Sequence, residues 1–406
     1  MKKISLLAAL VFSALTVQCQ WHDVSLDFVL LVQDQSPRLG AERTEIFLPK
    51  LEGKAVGLVG NQTSRVGETH LVDTLLSLGV NLKRVFAPEH GFRGEAEAGA
   101  HIQDGKDVKT GLPIVSLYGA NKKPSKQQVA GLDVIIFDLQ DVGTRFYTYI
   151  STLHYVMEIC AEENILLIVL DRPNPNGHFM DGPILEPRQR SFVGMHPIPV
   201  VHGMTIGEYA RMINGEKWLP NGIQSPLFVV KMENYDRDMP YDLPIPPSPN
   251  LPTAQSIALY PSLCFFEGTN VSLGRGMDTP FEIFGSPDFK NKGLTFTFTP
   301  RRIPGKSENP PFRDQLCYGV DLSQILYDSI RNEKRINLSY LIQAYQLSSD
   351  KSNFFLRNNF FDRLAGTDAL RRQIIAGLSE EEIRKTWQAG LEQFAKMRRQ
   401  YLLYDE

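Results

Sequence analysis

Five apolar runs rich in β-branched residues recur along this chain, and each ends abruptly in polar side chains. Continuous apolar runs of this length, separated by segments with helical periodicity, are typical of strands buried in a parallel sheet. The runs cover residues 54–60, 82–87, 133–137, 165–170 and 226–231. They predict an α/β fold: a Rossmann-like, mostly parallel sheet with helices on both faces.

The polar residues that follow the runs indicate where a ligand would bind. In an open parallel sheet, ligands bind in the crevice beyond the carboxyl ends of the strands, so side chains from several strands can converge there. We therefore expect a pocket at this edge before any reaction is assigned. The polar residues at the strand ends are Asn61, Glu89, His90, Asp138, Gln140, Asp141, Asp171 and Asn174.

The alternation of strands and helices predicts the domain organisation. Strand and helix patterns alternate over residues 46–235, which form the predicted catalytic domain. Six prolines crowd residues 236–254, so this stretch must be extended, either as a linker or as a stiff loop lining the cleft. Residues 255–406 read as one strand followed by several helices and predict a smaller α+β auxiliary domain that completes the cleft. A capping box at Ser379 and Glu382 marks the start of the last predicted helix, residues 380–401.

Composition and motifs exclude several classes of function. The formal net charge of -3 over 406 residues gives no basic surface for nucleic acid. Neither a Gly-x-Gly-x-x-Gly motif nor a phosphate-binding loop follows the first strand, so we expect no nucleotide and no other cofactor. His196 and His202 lack companions at metal-ligand spacing, and we expect no metal site. The sequence also lacks the Gly-x-Ser-x-Gly pattern of the α/β-hydrolase nucleophile, which argues against a serine hydrolase of that fold.

The first 19 residues resemble a bacterial export signal. Two lysines precede a short apolar stretch that is too short for a stable transmembrane helix. Cys19 is a candidate for lipid attachment, although Gln18 is a poor residue before such a cleavage site. We therefore expect an exported protein, either free in the periplasm or lipid-anchored at Cys19. No later segment is apolar enough to span a bilayer.

Three segments carry side chains suited to chemistry on a sugar. Glu89 lies just past a buried strand, where desolvation can raise a carboxyl pKa toward that of a working general acid, although the same acid in a strand-end turn could simply face water. Tyr147 follows the third run and offers an aromatic face to a sugar ring. A glycine-rich stretch after Glu267 contains Asn270 and Arg275, and it predicts the second domain's wall of the cleft.

Taken in order, these motifs resemble the exo-β-N-acetylmuramidase (NamZ-like) family of peptidoglycan hexosaminidases. The resemblance runs from about residue 46 to the C-terminus. It implies a Rossmann-like domain with a smaller auxiliary domain, and release of N-acetylmuramic acid from the non-reducing ends of peptidoglycan-derived saccharides. The segments that carry it are residues 88–94, 138–149, 171–175, 267–270 with 274–276, and 401–404.

The resemblance and the residues together predict glycosidic hydrolysis with Glu89 as general acid. Asp141, or else Asp138 or Glu267, would act as base or nucleophile, and His90 would orient the acid or contact the sugar. If no second carboxylate faces Glu89, participation of the substrate's acetamido group becomes the alternative. The residues expected to bind substrate are Asn61, Arg93, Asp138, Arg145, Tyr147, Asn174, His202, Glu267, Asn270 and Arg275.

The lactyl carboxylate of muramic acid calls for a cationic partner, for which Arg93, Arg145 and Arg275 are the candidates. Two other functions fit the same two-lobed outline. A periplasmic sugar or muropeptide binding protein would bind without releasing a product. An exported esterase or amidase would need a Ser or Cys beside a His, and no such pairing is visible in the sequence.

Overall fold

The computed structural model describes residues 36–89, 91–93 and 105–405. A seven-stranded sheet dominates the first half, with the strand order β5-β6-β4-β1-β7-β8-β9. Every neighbouring pair is parallel except β5 with β6. The strands are β1 (Val56–Gly60), β2 (Arg65–Val66), β3 (Thr69–His70), β4 (Leu82–Ala87), β5 (Gly105–Lys106), β6 (Pro113–Ser116), β7 (Val134–Asp138), β8 (Leu166–Leu170), β9 (Leu227–Val230), β10 (Ile283–Ser286), β11 (Phe296–Phe298) and β12 (Cys317–Asp321).

The five apolar runs are the five adjacent strands β4, β1, β7, β8 and β9, so the predicted mostly parallel sheet is confirmed. Side chains along each strand alternate between two separate cores. In β7, Ile135 and Phe137 belong to one core, and Val134 and Ile136 belong to the other. The runs are therefore apolar at successive positions because both faces of the sheet are covered.

Helices cover both faces of this sheet. On one face α4 and α5 join the larger core, and on the other face α2 joins the smaller core. The helices are α1 (Thr44–Phe47), α2 (Leu71–Ser77), α3 (Lys126–Val129), α4 (Tyr149–Glu162), α5 (Ile206–Gly215), α6 (Ala254–Leu263), α7 (Tyr327–Asn332), α8 (Ser339–Leu347), α9 (Phe360–Ala365), α10 (Ala369–Ile375), α11 (Glu380–Lys385) and α12 (Gln388–Arg398). In the part of the chain that the structure describes, no helix is long and apolar enough to cross a membrane.

The second half contains a three-stranded antiparallel sheet, β10-β12-β11, together with helices α6 to α12. The larger core continues without a break from the parallel sheet into this half, where it includes Phe284 and Phe361. The predicted helix over residues 380–401 is wrong as a single element, because α11 ends at Lys385 and α12 begins at Gln388. Its predicted start is confirmed: Ser379 and Glu382 form the capping box.

Helix α6 follows the proline-rich stretch directly and was not predicted. Pro261 lies inside it and has no N–H to donate to the carbonyl of Ile257 four residues earlier. The Asn176 side chain donates to this carbonyl instead, at 3.2 Å. A side chain from the parallel sheet's edge therefore completes the helix that begins the second half.

The C-terminal segment after α12 returns to the first half of the fold. The Tyr404 hydroxyl donates to the Asp171 carboxylate at 2.7 Å, and the Leu403 amide donates to Glu208 at 2.8 Å. Arg211 donates to the carbonyls of Tyr401 and Leu402. The end of the chain is thus hydrogen-bonded to the strand β8 edge and to helix α5.

Candidate active site

A cavity of about 550 Å³ lies beyond the carboxyl end of β4, between the parallel sheet and the second half of the fold. A cavity of this size suits a small sugar ligand. Its walls come from the end of β4, the start of α4, the proline-rich stretch, α6, the glycine-rich stretch and the loop between β11 and β12. The lining residues are Glu89, Phe146, Tyr147, Thr148, Tyr149, Val193, Ser248, Asn250, Leu251, Tyr260, Glu267, Arg275, Phe281, Lys306, Ser307, Glu308 and Asn309.

Glu89 is the carboxyl group that the parallel sheet presents to this cavity. Burial raises its pKa above the usual value of a glutamate, and the negative charge of Glu267 adds to the rise. Hydrogen bonds with the side chains of Tyr118 and Thr148 and the charge of Arg275 act in the opposite direction. The balance favours the protonated carboxyl more than in water, which is the form that a general acid needs.

Two tyrosines at the start of α4 form a polar and aromatic wall. The Tyr147 hydroxyl donates to the carbonyl of Pro247 at 2.9 Å, so it holds the proline-rich stretch against the cavity. The Tyr149 hydroxyl accepts a hydrogen bond from Asn61 Nδ2 at 2.7 Å and lies 3.5 Å from the backbone carbonyl of Glu89. Asn61 therefore supports the wall from behind, one layer away from the cavity.

The glycine-rich stretch contributes an ion pair to the opposite wall. Arg275 Nε donates to Glu267 Oε1 at 3.1 Å, and a second guanidinium nitrogen contacts the same oxygen. The guanidinium carbon also lies 5.3 Å from the ring centroid of Phe281. Arg275 is thus fixed on two sides and holds the Glu267 carboxylate in one orientation.

Several predicted site residues serve the framework instead of lining the cavity. Asp138 is fully buried and forms a two-pronged ion pair with Arg172, at 2.6 and 2.9 Å. Arg145 is also fully buried, and it donates to the carbonyls of Pro183, Ile198 and Leu364 at 2.6 to 3.0 Å. Most polar groups of these two side chains are bonded inside the protein, and neither side chain lines the cavity, so their predicted contact with substrate stays a prediction.

Tyr147, Glu267 and Arg275 line the cavity as predicted residues, whereas Arg93, Asn174 and Asn270 are not among its described lining. Arg93 is held by Asp73 and Asp107 in a network of 2.8 to 3.1 Å contacts. Asn174 donates to the carbonyl of Met204 and accepts from a backbone amide in a local turn. Asn270 is exposed, and it is absent from the described lining. For Arg93 and Asn174, bonded partners explain why they are not available to substrate.

Asp141 and His202 are buried and do not line the cavity. The catalytic role predicted for Asp141 and the substrate contact predicted for His202 stay predictions. Burial raises the pKa of Asp141 to about 7, and burial lowers the pKa of His202 to about 3. Their closest atoms are 3.9 Å apart, so a neutral imidazole faces the carboxyl group and no ion pair forms. Asp141 Oδ2 accepts from the Gly143 amide at 2.7 Å, while Oδ1 has no partner within the described residues.

His90 lies outside the described residues, so its predicted role stays a prediction.

Sequence reasoning missed several residues in or next to the cavity. Tyr118 does not line the cavity but hydrogen-bonds Glu89, and it follows the short strand β6, whose four residues have no clear sequence pattern. Lys306 and Glu308 lie in a loop between two short strands of the second half, where no sequence motif marked them. Among residues 36–89, 91–93 and 105–405, no group of three potential metal ligands occurs.

Known proteins resemble the chain over nearly its whole length. Two family models match it: exo-β-N-acetylmuramidase NamZ, N-terminal, over residues 56–255, and exo-β-N-acetylmuramidase NamZ, C-terminal, over residues 258–404. A relative from Bacillus subtilis strain 168, named peptidoglycan β-N-acetylmuramidase NamZ, is 42% identical over 373 residues, which are 88% of this chain and 89% of the relative.

Two crystal structures of DUF1343 family proteins from Bacteroides fragilis share the fold. The first has a TM-score of 0.85 and 46% sequence identity, and the second has a TM-score of 0.74 and 30% identity. Each match covers 91% of this chain and 99% of the other chain. The likeness therefore extends over both halves of the fold.

The buried Asp141 generates a prediction about stability. The pKa of its carboxyl is raised to about 7 in the folded protein. Between about pH 4 and 7 the folded state therefore keeps a proton that the unfolded state has already released. The contribution of this group to the free energy of unfolding is therefore greatest at low pH and falls as pH rises through 7. Asp141→Asn should remove that dependence. The stability lost between pH 5 and pH 8 should be smaller in the variant than in the wild type by roughly 2–4 kcal/mol.

Urea unfolding at the two pH values measures this difference. Glu68→Gln is a suitable control, because Glu68 is exposed. An equal loss of stability in wild type and Asp141→Asn would show that Asp141 is ionised in the folded protein.

Proposed function

The chain belongs to the exo-β-N-acetylmuramidase NamZ family, and on this basis we propose that it releases N-acetylmuramic acid from the non-reducing ends of peptidoglycan fragments. It is a glycoside hydrolase. The observation that carries the proposal is the sugar-sized cavity with Glu89 in it, a carboxyl whose pKa burial raises. A protonated carboxyl beside a glycosidic oxygen can donate the proton that the departing sugar needs.

Glu89 is the general acid in this mechanism. It follows a rigid buried strand, and the Tyr118 and Thr148 side chains bond to its carboxyl group. The hydrogen bond from Asn61 to Tyr149 fixes a hydroxyl beside the Glu89 carbonyl. These contacts restrict both the backbone and the side chain of the acid, so little reorganisation is needed when the proton moves.

Glu267 is the second carboxylate. It is the acidic side chain from the second half whose charge acts on the Glu89 pKa, and it lines the same cavity. The contact with Arg275 holds its carboxylate in place at the cavity wall, as a base or a nucleophile requires. We prefer it to Asp141, the first choice from sequence, because Glu267 lines the cavity and Asp141 does not.

Aromatic side chains give the cavity the remaining properties of a sugar site. Tyr147, Tyr149, Tyr260 and Phe281 line it, and their rings pack edge to face against one another. Aromatic faces contact the apolar faces of sugar rings while polar groups at the rim bind hydroxyls. The Pro-rich stretch adds Ser248 and Asn250 as polar groups of this kind.

The proposed cellular setting is export to the periplasm and a role in cell wall recycling. The export is supported by the N-terminal pattern of two lysines and a short apolar stretch, and the recycling role follows from the proposed substrate. The exported protein would be either free in the periplasm or lipid-anchored at Cys19. Mass spectrometry of the mature N-terminus in fractionated cells tests both points, and an intact Met1 in the cytoplasmic fraction would contradict them.

Replacement of Glu89 tests the general acid. Glu89→Gln keeps the shape of the side chain but cannot donate a carboxyl proton, so we expect hydrolysis of the disaccharide of N-acetylmuramic acid linked to N-acetylglucosamine to fall by about 100-fold or more. The loss should be much smaller with a para-nitrophenyl glycoside, whose leaving group needs no proton. Kinetics on both substrates, with circular dichroism to confirm folding, measure the difference.

Equal losses on the two substrates would assign Glu89 to binding or to folding. A wild-type protein that binds the disaccharide but releases no monosaccharide would instead support the binding-protein alternative.

A pair of variants separates the two candidates for the second carboxylate. Glu267→Gln should lower kcat by about 100-fold or more, because the transition state would lose a facing negative charge. Asp141→Asn should keep kcat within about fivefold of wild type, because that carboxyl does not line the cavity. Steady-state kinetics on the same disaccharide decide the matter, and the reverse ranking of the two variants would restore Asp141 to the mechanism.

A further inference from the structure

The charged side chains that line the cavity are mostly paired. Glu267 is paired with Arg275, and Glu308 is paired with Arg302, which contacts it from outside the lining. Among the described acidic and basic side chains of the lining, the proposed acid Glu89 and the amine of Lys306 have no ion-pair partner. Within the described residues, no carboxylate lies within ion-pair distance of the Lys306 amine.

The surroundings of Lys306 compensate its charge only in part. Burial lowers the pKa of its amine, and the charge of Arg301 lowers it further, against the opposite effect of Asp278 and Glu282. Both of these acids have other partners. Asp278 binds Arg301 at 2.9 Å, and Glu282 accepts a hydrogen bond from Thr253.

The backbone fixes the position of Lys306. The Lys306 and Ser307 amides both donate to the carbonyl of Ile303, at 3.1 and 2.8 Å, and the Ile303 amide donates back to Ser307 at 2.9 Å. Asn250 Nδ2 donates to the Lys306 carbonyl at 3.0 Å and ties this turn to the proline-rich wall. A half-buried cation is therefore held at the cavity wall by a closed turn.

We propose that Lys306 binds the lactyl carboxylate of the substrate and so makes the site selective for N-acetylmuramic acid over sugars without an acidic substituent. This inference rests on the proposed function and names the residue that recognises the substrate. A half-buried amine without a carboxylate partner gains most from an acidic ligand, because the ligand supplies the missing opposite charge.

The three arginines considered from sequence suit this role less well. Arg93 and Arg145 do not line the cavity, and their guanidinium groups are bonded to aspartates or to backbone carbonyls. Arg275 lines the cavity but already holds Glu267. A ligand carboxylate at Arg275 would have to approach a carboxylate already in contact with the guanidinium, whereas no carboxylate of the described residues lies within ion-pair distance of the Lys306 amine.

Calorimetric titration of N-acetylmuramic acid and of its methyl ester, which lacks the negative charge, tests the proposal without requiring turnover. The wild type should bind the acid about 10- to 100-fold more tightly than the ester. Lys306→Met should bind the two equally, and Lys306→Arg should keep most of the preference. Lys290→Met removes an exposed lysine of the same half of the fold and should behave as the wild type.

The possible outcomes separate this inference from the proposed function. A Lys306→Met variant that still prefers the acid would overturn the role of Lys306, and so would a wild type that binds acid and ester equally or binds neither. Failure of the wild type to release monosaccharides from the disaccharide would overturn the proposed function whatever the titration shows. Thermal unfolding of each variant confirms that the compared proteins are folded.

Discussion

Burial of the parallel sheet on both faces is the constraint on which the rest of this structure depends. Because helices cover each face, polar side chains on the strands can lie only at the strand ends. There they must find partners, since an unpaired polar group in a buried position costs free energy. Asp138 meets Arg172, and Asp171 accepts from Thr205 and Tyr404. The strand-end residues are therefore mostly the means by which the domain is held together.

This constraint explains what the sequence could and could not predict. The apolar runs predicted five strands and the edge at which a pocket forms, because both properties follow from local composition. They could not predict which polar residue keeps a free side chain, because that depends on partners far away in the sequence. Arg145 illustrates the point: its guanidinium donates to the carbonyl of Leu364, 219 residues later. Gly366 leaves room for this guanidinium, because a Cβ atom at residue 366 would lie only 2.5 Å from Arg145 Nη2.

Both halves of the fold contribute side chains to the cavity, and each half supplies a different set of chemical groups. The parallel sheet supplies Glu89 and the tyrosines of α4, and the second half supplies Glu267, Arg275 and Lys306. The glycine-rich stretch was predicted as the second wall because glycines beside a charged residue mark a close approach to a ligand. The turn that contains Lys306 has no such pattern, because the role proposed for Lys306 rests on its lack of an ion-pair partner among the described residues.

A comparison of Glu89 with Asp141 shows why geometry has to precede the pKa in identifying a catalytic acid. Asp141 is the more deeply buried of the two, and its pKa is raised to about 7, which on that criterion alone would make it the better general acid. Yet a carboxyl can transfer a proton only to an atom within hydrogen-bond reach. Asp141 bonds the Gly143 amide and does not line the cavity, whereas Glu89 does. Burial raises the pKa of both carboxyl groups, but only the Glu89 carboxyl lies at the cavity wall, where substrate can reach it.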